Sequence, residues 1–273
     1  MPDDIQTLSA GLRRTESRRE RSSAAITAAT IFGLLLIWEA IAWFELVPSL
    51  YLPGPQAVLL KLWDVSNSGY MGATLFQHLT ASLARIGLAL FAAVLLAVPV
   101  GLGIGLNRVA RAILDPLVEF YRPVPPLAYL PLIVIWFGIG EFSKILLIFL
   151  AIFAPIVVST AAGVRKVEPL WIRVTQSLGG NRWQIVRHIV LPSVFPDILT
   201  GIRIGLGVGW STLVAAELIA ATEGLGFMIQ SASQFLITDL VMAGILVIAL
   251  VAYALEICLR YLQRKLAPWR NAH

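Results

Sequence analysis

The sequence predicts an all-α membrane protein with six transmembrane helices and a structured polar hairpin between two of them. Three observations carry that prediction. Of the 273 residues, 58% are hydrophobic and only 14% charged, against about 25% charged in a soluble domain. Six mostly apolar runs, each near the roughly 20 residues that cross a hydrocarbon core, lie at 24–44, 83–106, 113–136, 145–164, 200–221 and 240–262. Lysine and arginine are concentrated in alternate connections. The single cysteine, Cys258, excludes an internal disulfide, and His78, His188 and His273 lie far apart without metal-ligand spacing.

The first 23 residues form a basic tail. The run at 24–44 exceeds the roughly 7–15 residues of a signal-peptide core and lacks a small-residue cleavage site, so it is read as a retained helix. Arg13-Arg14 and Arg18-Arg19 are read as charges that hold the tail inside, in preference to an export signal. Segment 45–82 starts irregularly at Pro48, Pro53, Gly54 and Pro55, then predicts a helix resting on the membrane surface through Leu59, Leu60, Leu62 and Trp63. Residues 83–265 form a five-helix core that includes the polar loop 165–199, and 266–273 is a second tail.

Small residues recur every four positions at Ala93, Ala97, Gly101 and Gly105, and again at Gly201, Gly205 and Gly209. Such stripes let helix backbones approach closely, within one chain or across a dimer. No strand precedes Gly101-x-Gly103-x-Gly105, so it is not a dinucleotide fingerprint. Pro123, Pro125 and Pro126 break the third run. Gly224 and Gly226 break the chain before a short helix expected to turn back towards the bilayer.

Placing the N-terminus inside puts 16 of the 21 basic residues in inner segments and leaves Lys61 and Lys144 outside. Both termini and the 165–199 loop are then cytoplasmic. The net charge of +5 follows from this asymmetry and calls for no nucleic-acid partner.

Ionisable side chains within a span cost about 2.5–3.5 kcal/mol each, so they face protein or water. Glu119 and Arg122 are one helical turn apart; either they pair, or Arg122 draws an anion along a pathway. Glu217, Glu39 and Glu256 read as isolated, and Arg203 as snorkelling to the interface. Trp136, Trp210 and Phe137 line a path or serve packing. The candidate pathway set is Glu119, Arg122, Trp136, Trp210 and Glu217.

The polar stretch 168–192 reads as two short helices. Glu168 and Pro169 suit a helix start. Gly179-Gly180 ends the first helix, and Asn181 is a good N-cap for the second. Trp183, Ile185, Val186, Ile189 and Val190 fall in one arc, with Gln184, Arg187 and His188 on the other side, and Pro192 and Pro196 are expected to stop the helix. Gly179, Ile189 and Leu191-Pro192 are in register with the Glu-Ala-Ala, three residues, Gly, nine residues, Ile, one residue, Leu-Pro pattern. The loop thus resembles that of binding-protein-dependent ABC importer permeases. The Glu-Ala-Ala positions are here Arg173, Val174 and Thr175, a departure from the pattern. Segments 121–128 (YRPVPPLA), 135–140 (IWFGIG), 207–217 (GVGWSTLVAAE) and 225–228 (LGFM) extend the resemblance over about residues 50 to 270. Within the family they look most like the taurine-transporting branch.

The resemblance implies a type I ABC importer permease fold in the bacterial inner membrane. It implies two copies forming a pore and a periplasmic binding protein delivering substrate. Two ATPase subunits would dock on residues including Gly179, Gly180, Asn181, Arg182, Trp183 and Arg187, and would bind the ATP and magnesium. The chain itself has no phosphate-binding Gly-x4-Gly-Lys-Ser/Thr loop, no catalytic constellation and no cofactor of its own. Taurine or a related small sulfonate is the implied cargo, with alkanesulfonates, nitrate or another small anion as alternatives. An ion-coupled secondary transporter is the competing class, disfavoured because no internal repeat is visible.

Overall fold

The computed structural model describes residues 26, 27 and 29–266. The basic tail expected over 1–23 and residues 267–273 lie outside the described residues. Among those described the fold is helical throughout, with one isolated bridge between Tyr70 and Ala73.

The helices are α1 (Ala29–Trp43), α2 (Pro55–Ser68), α3 (Leu75–Leu106), α4 (Arg108–Tyr121), a 3-10 turn (Pro126–Tyr129), α5 (Leu130–Phe137), α6 (Glu141–Lys166), α7 (Pro169–Ser177), α8 (Arg182–Ile185), α9 (Leu191–Ala220), α10 (Leu225–Gln234) and α11 (Thr238–Leu266). Four are long and apolar enough to cross a membrane alone: α3, α6, α11, and the unbroken helix from Arg182 to Ile219 that contains α8 and α9. The expected third span, 113–136, is not one straight helix. Its two halves meet at 92°, because Pro123, Pro125 and Pro126 withhold three N–H donors within four residues.

The centre of the fold is α6, enclosed between α3 and α9. Both small-residue stripes face it. A Cβ on Gly101 would lie 2.6 Å from Thr160 Cβ and 2.8 Å from the Val157 carbonyl oxygen. One on Gly105 would lie 2.4 Å from Val164 Cβ. On α9, Gly201 abuts Ser159 and Ile156, while Gly205 and Gly209 abut Ile152. Ala93 and Ala97 are fully buried in the same seam. The question the sequence leaves open is therefore answered for these stripes: they join helices within the chain.

A second cluster holds α2, α10 and α11 together through Val65, Leu225, Met228, Leu240 and Val247. Leu59, Leu60 and Trp63 on α2 stay exposed, as a helix lying along a membrane surface would leave them. The sharp α3–α4 turn is capped on both sides. Asn107 Oδ1 accepts from the N–H groups of Val109 and Ala110, and the Arg111 guanidinium donates to the Ile104 and Gly105 carbonyls.

Two expectations about isolated charges are corrected. Glu256 forms an ion pair with Arg203 at 3.3 Å and accepts from Arg260 at 2.7 Å, and Glu39 accepts from Gln56. Arg203 and Gln56 lie far from their carboxylates in sequence and Arg260 lies on the adjacent turn, where the apolar run itself does not show them.

The glycine seam is directly testable. Gly101→Val forces a branched side chain against backbone and is expected to destabilise the protein by about 1–3 kcal/mol, the usual range for overpacking. Gly103→Ala has nothing within 4 Å of the new atom and is expected to be neutral or slightly stabilising. Thermal unfolding of the two purified variants compares them.

Candidate functional site

Three features are assembled by this frame: the polar hairpin, an ionic network at the opposite end of the bundle that is buried at Arg85 and Glu217 and exposed at Glu141, and a cavity between them.

The hairpin forms as its residues dictate. α7 starts at Pro169, whose missing N–H costs nothing in a first turn. The Gly180 N–H bonds back to the Thr175 carbonyl at 2.9 Å while Gly179 takes φ +83°, a helix-ending wrap that favours glycine. Gly180 has a different constraint: a Cβ there would meet Thr175 at 2.6 Å. Asn181 then caps α8 in a reciprocal pair with Gln184, each side chain accepting from the other's backbone at 2.8 Å.

The helix does not stop at Pro192, contrary to expectation. Residues 186–190 widen into one π turn, closed by the Leu191 N–H on the Val186 carbonyl, and the helix continues as α9. Pro192 cannot donate to the His188 carbonyl and its ring crowds that oxygen; one wide turn relieves both problems. The second arm of the hairpin is thereby continuous with α9. The buried arc also differs from the predicted one. Ile185 and Val190 pack with Val164, Val194 and Ile198, while Val186 and Ile189 are half-buried. Trp183 is 67% exposed, being roughly 160° round the helix from Ile185 at 100° per residue. Trp183, Leu178 (82% exposed), Leu170 and Trp171 give the hairpin an apolar exposed tip. The exposed side chains of Arg173, Arg182 and Arg187 accompany it. Val174 and Leu191 are also exposed and Thr175 is half-buried, its hydroxyl donating to Trp171 O.

At the far end of the bundle, Arg85 on α3 donates to Glu217 Oε1 from Nη1 at 2.6 Å. It also grips Glu141 of α6 from Nε and Nη2 at 2.6 and 2.9 Å. Lys144 adds a 2.7 Å bond to Glu141. Ser82 donates to both oxygens of Glu217 and accepts from the Leu225 N–H; the Gly226 N–H also donates to Glu217. The His78 Nδ1 accepts from the Gly224 N–H. Two cations thus face two carboxylates, and α3, α6, α9 and the start of α10 are tied at one point. Gly224 and Gly226 are glycines because a Cβ at either would strike the Glu217 side chain, at 2.4 Å and 2.8 Å. The sequence singled out Glu217 but not Arg85, Ser82, Glu141 or Lys144. An arginine and a glutamate each stranded in apolar runs were the available signal, since each needs an opposite charge.

The cavity lies where α4 bends towards α5. It encloses about 270 Å³ and is lined by residues of the bend, of α6 and of α9, among them Arg122, Tyr121, Ala151, Pro155 and Ser159. The Tyr121 hydroxyl donates to the Leu150 carbonyl across it. Glu119 and Arg122 do not pair: both side chains are exposed and no ion pair joins them, although Arg122 keeps helical geometry and its N–H bonds back to the Val118 carbonyl. Trp136 is 66% exposed on α5, whereas Trp210 is buried in the core with α3 and α6. Of the five candidate pathway residues, the fold brings only Arg122 to the cavity wall.

Breaking the ionic network is expected to be costly, because removing one partner of a buried pair strands the other, typically at about 3–5 kcal/mol. Arg85→Ala and Glu217→Ala should each lower thermal stability by that order. The double variant should cost less than their sum, a coupling that a thermal-unfolding cycle measures.

With this geometry in view, the relatives are informative. The family described as binding-protein-dependent transport system inner membrane component matches residues 86–271. The taurine transport system permease protein TauC of Escherichia coli K12 is 61% identical over 247 residues, covering 90% of each chain. The putative aliphatic sulfonates transport permease protein SsuC of Bacillus subtilis 168 is 37% identical, covering 88% of this chain and 86% of its own. Among solved structures, an inward-facing MetNI methionine ABC transporter aligns with TM-score 0.61 at 18% identity, over 70% of this chain and 95% of that one. An amino acid ABC transporter aligns with TM-score 0.58 at 17% identity, over 77% and 96%. Both show the shared fold. A polar helical hairpin on a frame with four spanning helices and one bent pair among the described residues, together with these matches, places the chain in one family: it is a multi-pass inner membrane component, a permease subunit, of the binding-protein-dependent ABC transport systems.

Proposed function

We propose that the chain forms the translocation pathway of an ATP-driven importer for taurine or a closely related small sulfonate. The observation that carries this reading is the 61% identity to the taurine permease across nine-tenths of both chains. The weaker likeness to the aliphatic-sulfonate permease keeps alkanesulfonates as the neighbouring alternative. Two copies line the pore. Two ATPase subunits, which bind the ATP and magnesium, seat on the two hairpins, and a binding protein delivers cargo to the opposite face. Both termini lie on the hairpin side, in the cytoplasm, as the arginine and lysine asymmetry supports.

The mechanical part follows from the continuous helix. Because α8, the π turn and α9 form one rod of 38 residues, a push on Trp183 displaces α9 with little bending in between. α9 is locked to α6 by its glycine stripe and to α3 by the Arg85–Glu217 bond at 2.6 Å. ATPase closure therefore moves three helices together, the rigid-body step that alternating access needs. The fully enclosed Glu217 belongs to this linkage, as does the packed Trp210. We assign Glu119 and Trp136, exposed on the bent segment, to the path.

Two measurements test the reading. Leu178→Glu with Trp183→Ala puts charge and a void where the ATPase seats, and is expected to reduce co-purified ATPase at least tenfold. Unchanged co-purification would remove the hairpin from the interface. The complex reconstituted with its ATPase and binding protein is expected to take up taurine in an ATP-dependent way, and faster than nitrate. Equal rates would leave the importer standing without its cargo.

A further inference from the structure

We propose that the cavity at the bend is a binding site for a small zwitterion, holding the substrate's anionic group on Arg122 and its ammonium group at the carbonyl of Ala151. The inference rests on the importer reading above and names where and how cargo is held within the chain.

Depth comes first. α6 runs from Glu141 to Lys166, and the cavity wall uses Leu150 to Ser159 of it. At 1.5 Å per residue, Ala154 lies about 20 Å from the start of a helix about 39 Å long. Ile204 and Val208, the contributors from α9, are likewise near the middle of Leu191–Ala220. The cavity therefore sits at the mid-level of the bundle, where any pathway must pass.

Charge comes second. Arg85 and Arg111 donate to protein oxygens and Arg203 forms an ion pair with Glu256. Among the described residues, the Arg122 guanidinium on this wall has no hydrogen bond or ion pair. No carboxylate lines the cavity. An unpaired guanidinium at that depth is costly, and its fork of donors matches the oxygens of a sulfonate or similar oxyanion.

The third feature favours a zwitterion over a plain anion. Pro155 lacks the N–H that would bond the Ala151 carbonyl one turn earlier. Ala151 and Pro155 both line the cavity, so a carbonyl deprived of its helical donor lies at the wall. Its negative end suits an ammonium group. The volume of about 270 Å³ is many times the roughly 10–15 Å³ that a single water needs on the same measure, so a small solute has room there.

The test uses the permease reconstituted with its ATPase and binding protein, measuring taurine uptake and ATP hydrolysis together. Arg122→Gln is expected to lower uptake at least tenfold more than it lowers hydrolysis, with partial rescue by Arg122→Lys. Radiolabelled taurine bound to the permease–ATPase complex without binding protein should weaken in Arg122→Gln. It should weaken about threefold in Pro155→Ala, which returns the N–H, while competition by ethanesulfonate, which lacks the ammonium, is unaffected. Wild-type taurine uptake with normal uptake in Arg122→Gln would overturn the site and spare the importer reading. A parallel fall of uptake and hydrolysis would also overturn it, assigning Arg122 to coupling. A defect that appears in phosphatidylcholine–phosphatidylglycerol vesicles but not in phosphatidylcholine alone would assign the cation to a lipid phosphate. No taurine uptake by the wild type would instead refute the proposed cargo, and the zwitterion site with it.

Discussion

The close approach of α3 and α9 to the two sides of α6 is the constraint on which the other features depend. In a bilayer, no hydrophobic force draws helices together beyond what lipid already offers, so contact must come from shape. Gly101 and Gly105 on one side, and Gly201, Gly205 and Gly209 on the other, remove the atoms that would hold the backbones apart. Only at that spacing can Arg85 on α3 touch Glu217 on α9 and Glu141 on α6 at once. Only then do α6 and α9 share a wall against the bent segment.

The ends of this three-helix unit differ in character. The end at Arg85 is closed by charge, with nearly every donor and acceptor matched and the Gly224–Gly226 turn pulled onto Glu217. The end at the hairpin is open: its inner face is packed through Ile185 and Val190, while Leu178 and Trp183 remain exposed. One end is fixed, and the other is available to a partner.

Proline shapes what lies between. Pro123, Pro125 and Pro126 fold the third segment over at 92°, and Pro155 frees a carbonyl in the middle of α6. Pro192 has a gentler effect, because a π turn absorbs it and the helix continues. The same residue type thus breaks one segment, opens a polar spot in another and leaves a third mechanically intact. The difference is set by how many prolines fall together and by what the neighbouring turns can relax.

By itself, the sequence determined the class and the local punctuation. Apolar runs of spanning length fix a helical membrane protein, because backbone polar groups in lipid must bond within their own segment. Gly179, Gly180 and Asn181 fix the hairpin's turn through backbone freedom and capping, both local effects. The small-residue stripes were legible, but their partner was not, since a stripe records only that something comes close. Tertiary structure decided the pairings. Arg85 with Glu217 spans 132 positions and Glu256 with Arg203 joins separate helices. Along a single run each of these looks like an unpaired charge. The unbroken passage through Pro192 and the exposure of Trp183 were also decided there, because a wide turn and the edge of a buried arc depend on what packs against them. Helix formation is a property of neighbouring residues, whereas the matching of charges and glycines depends on which helices meet.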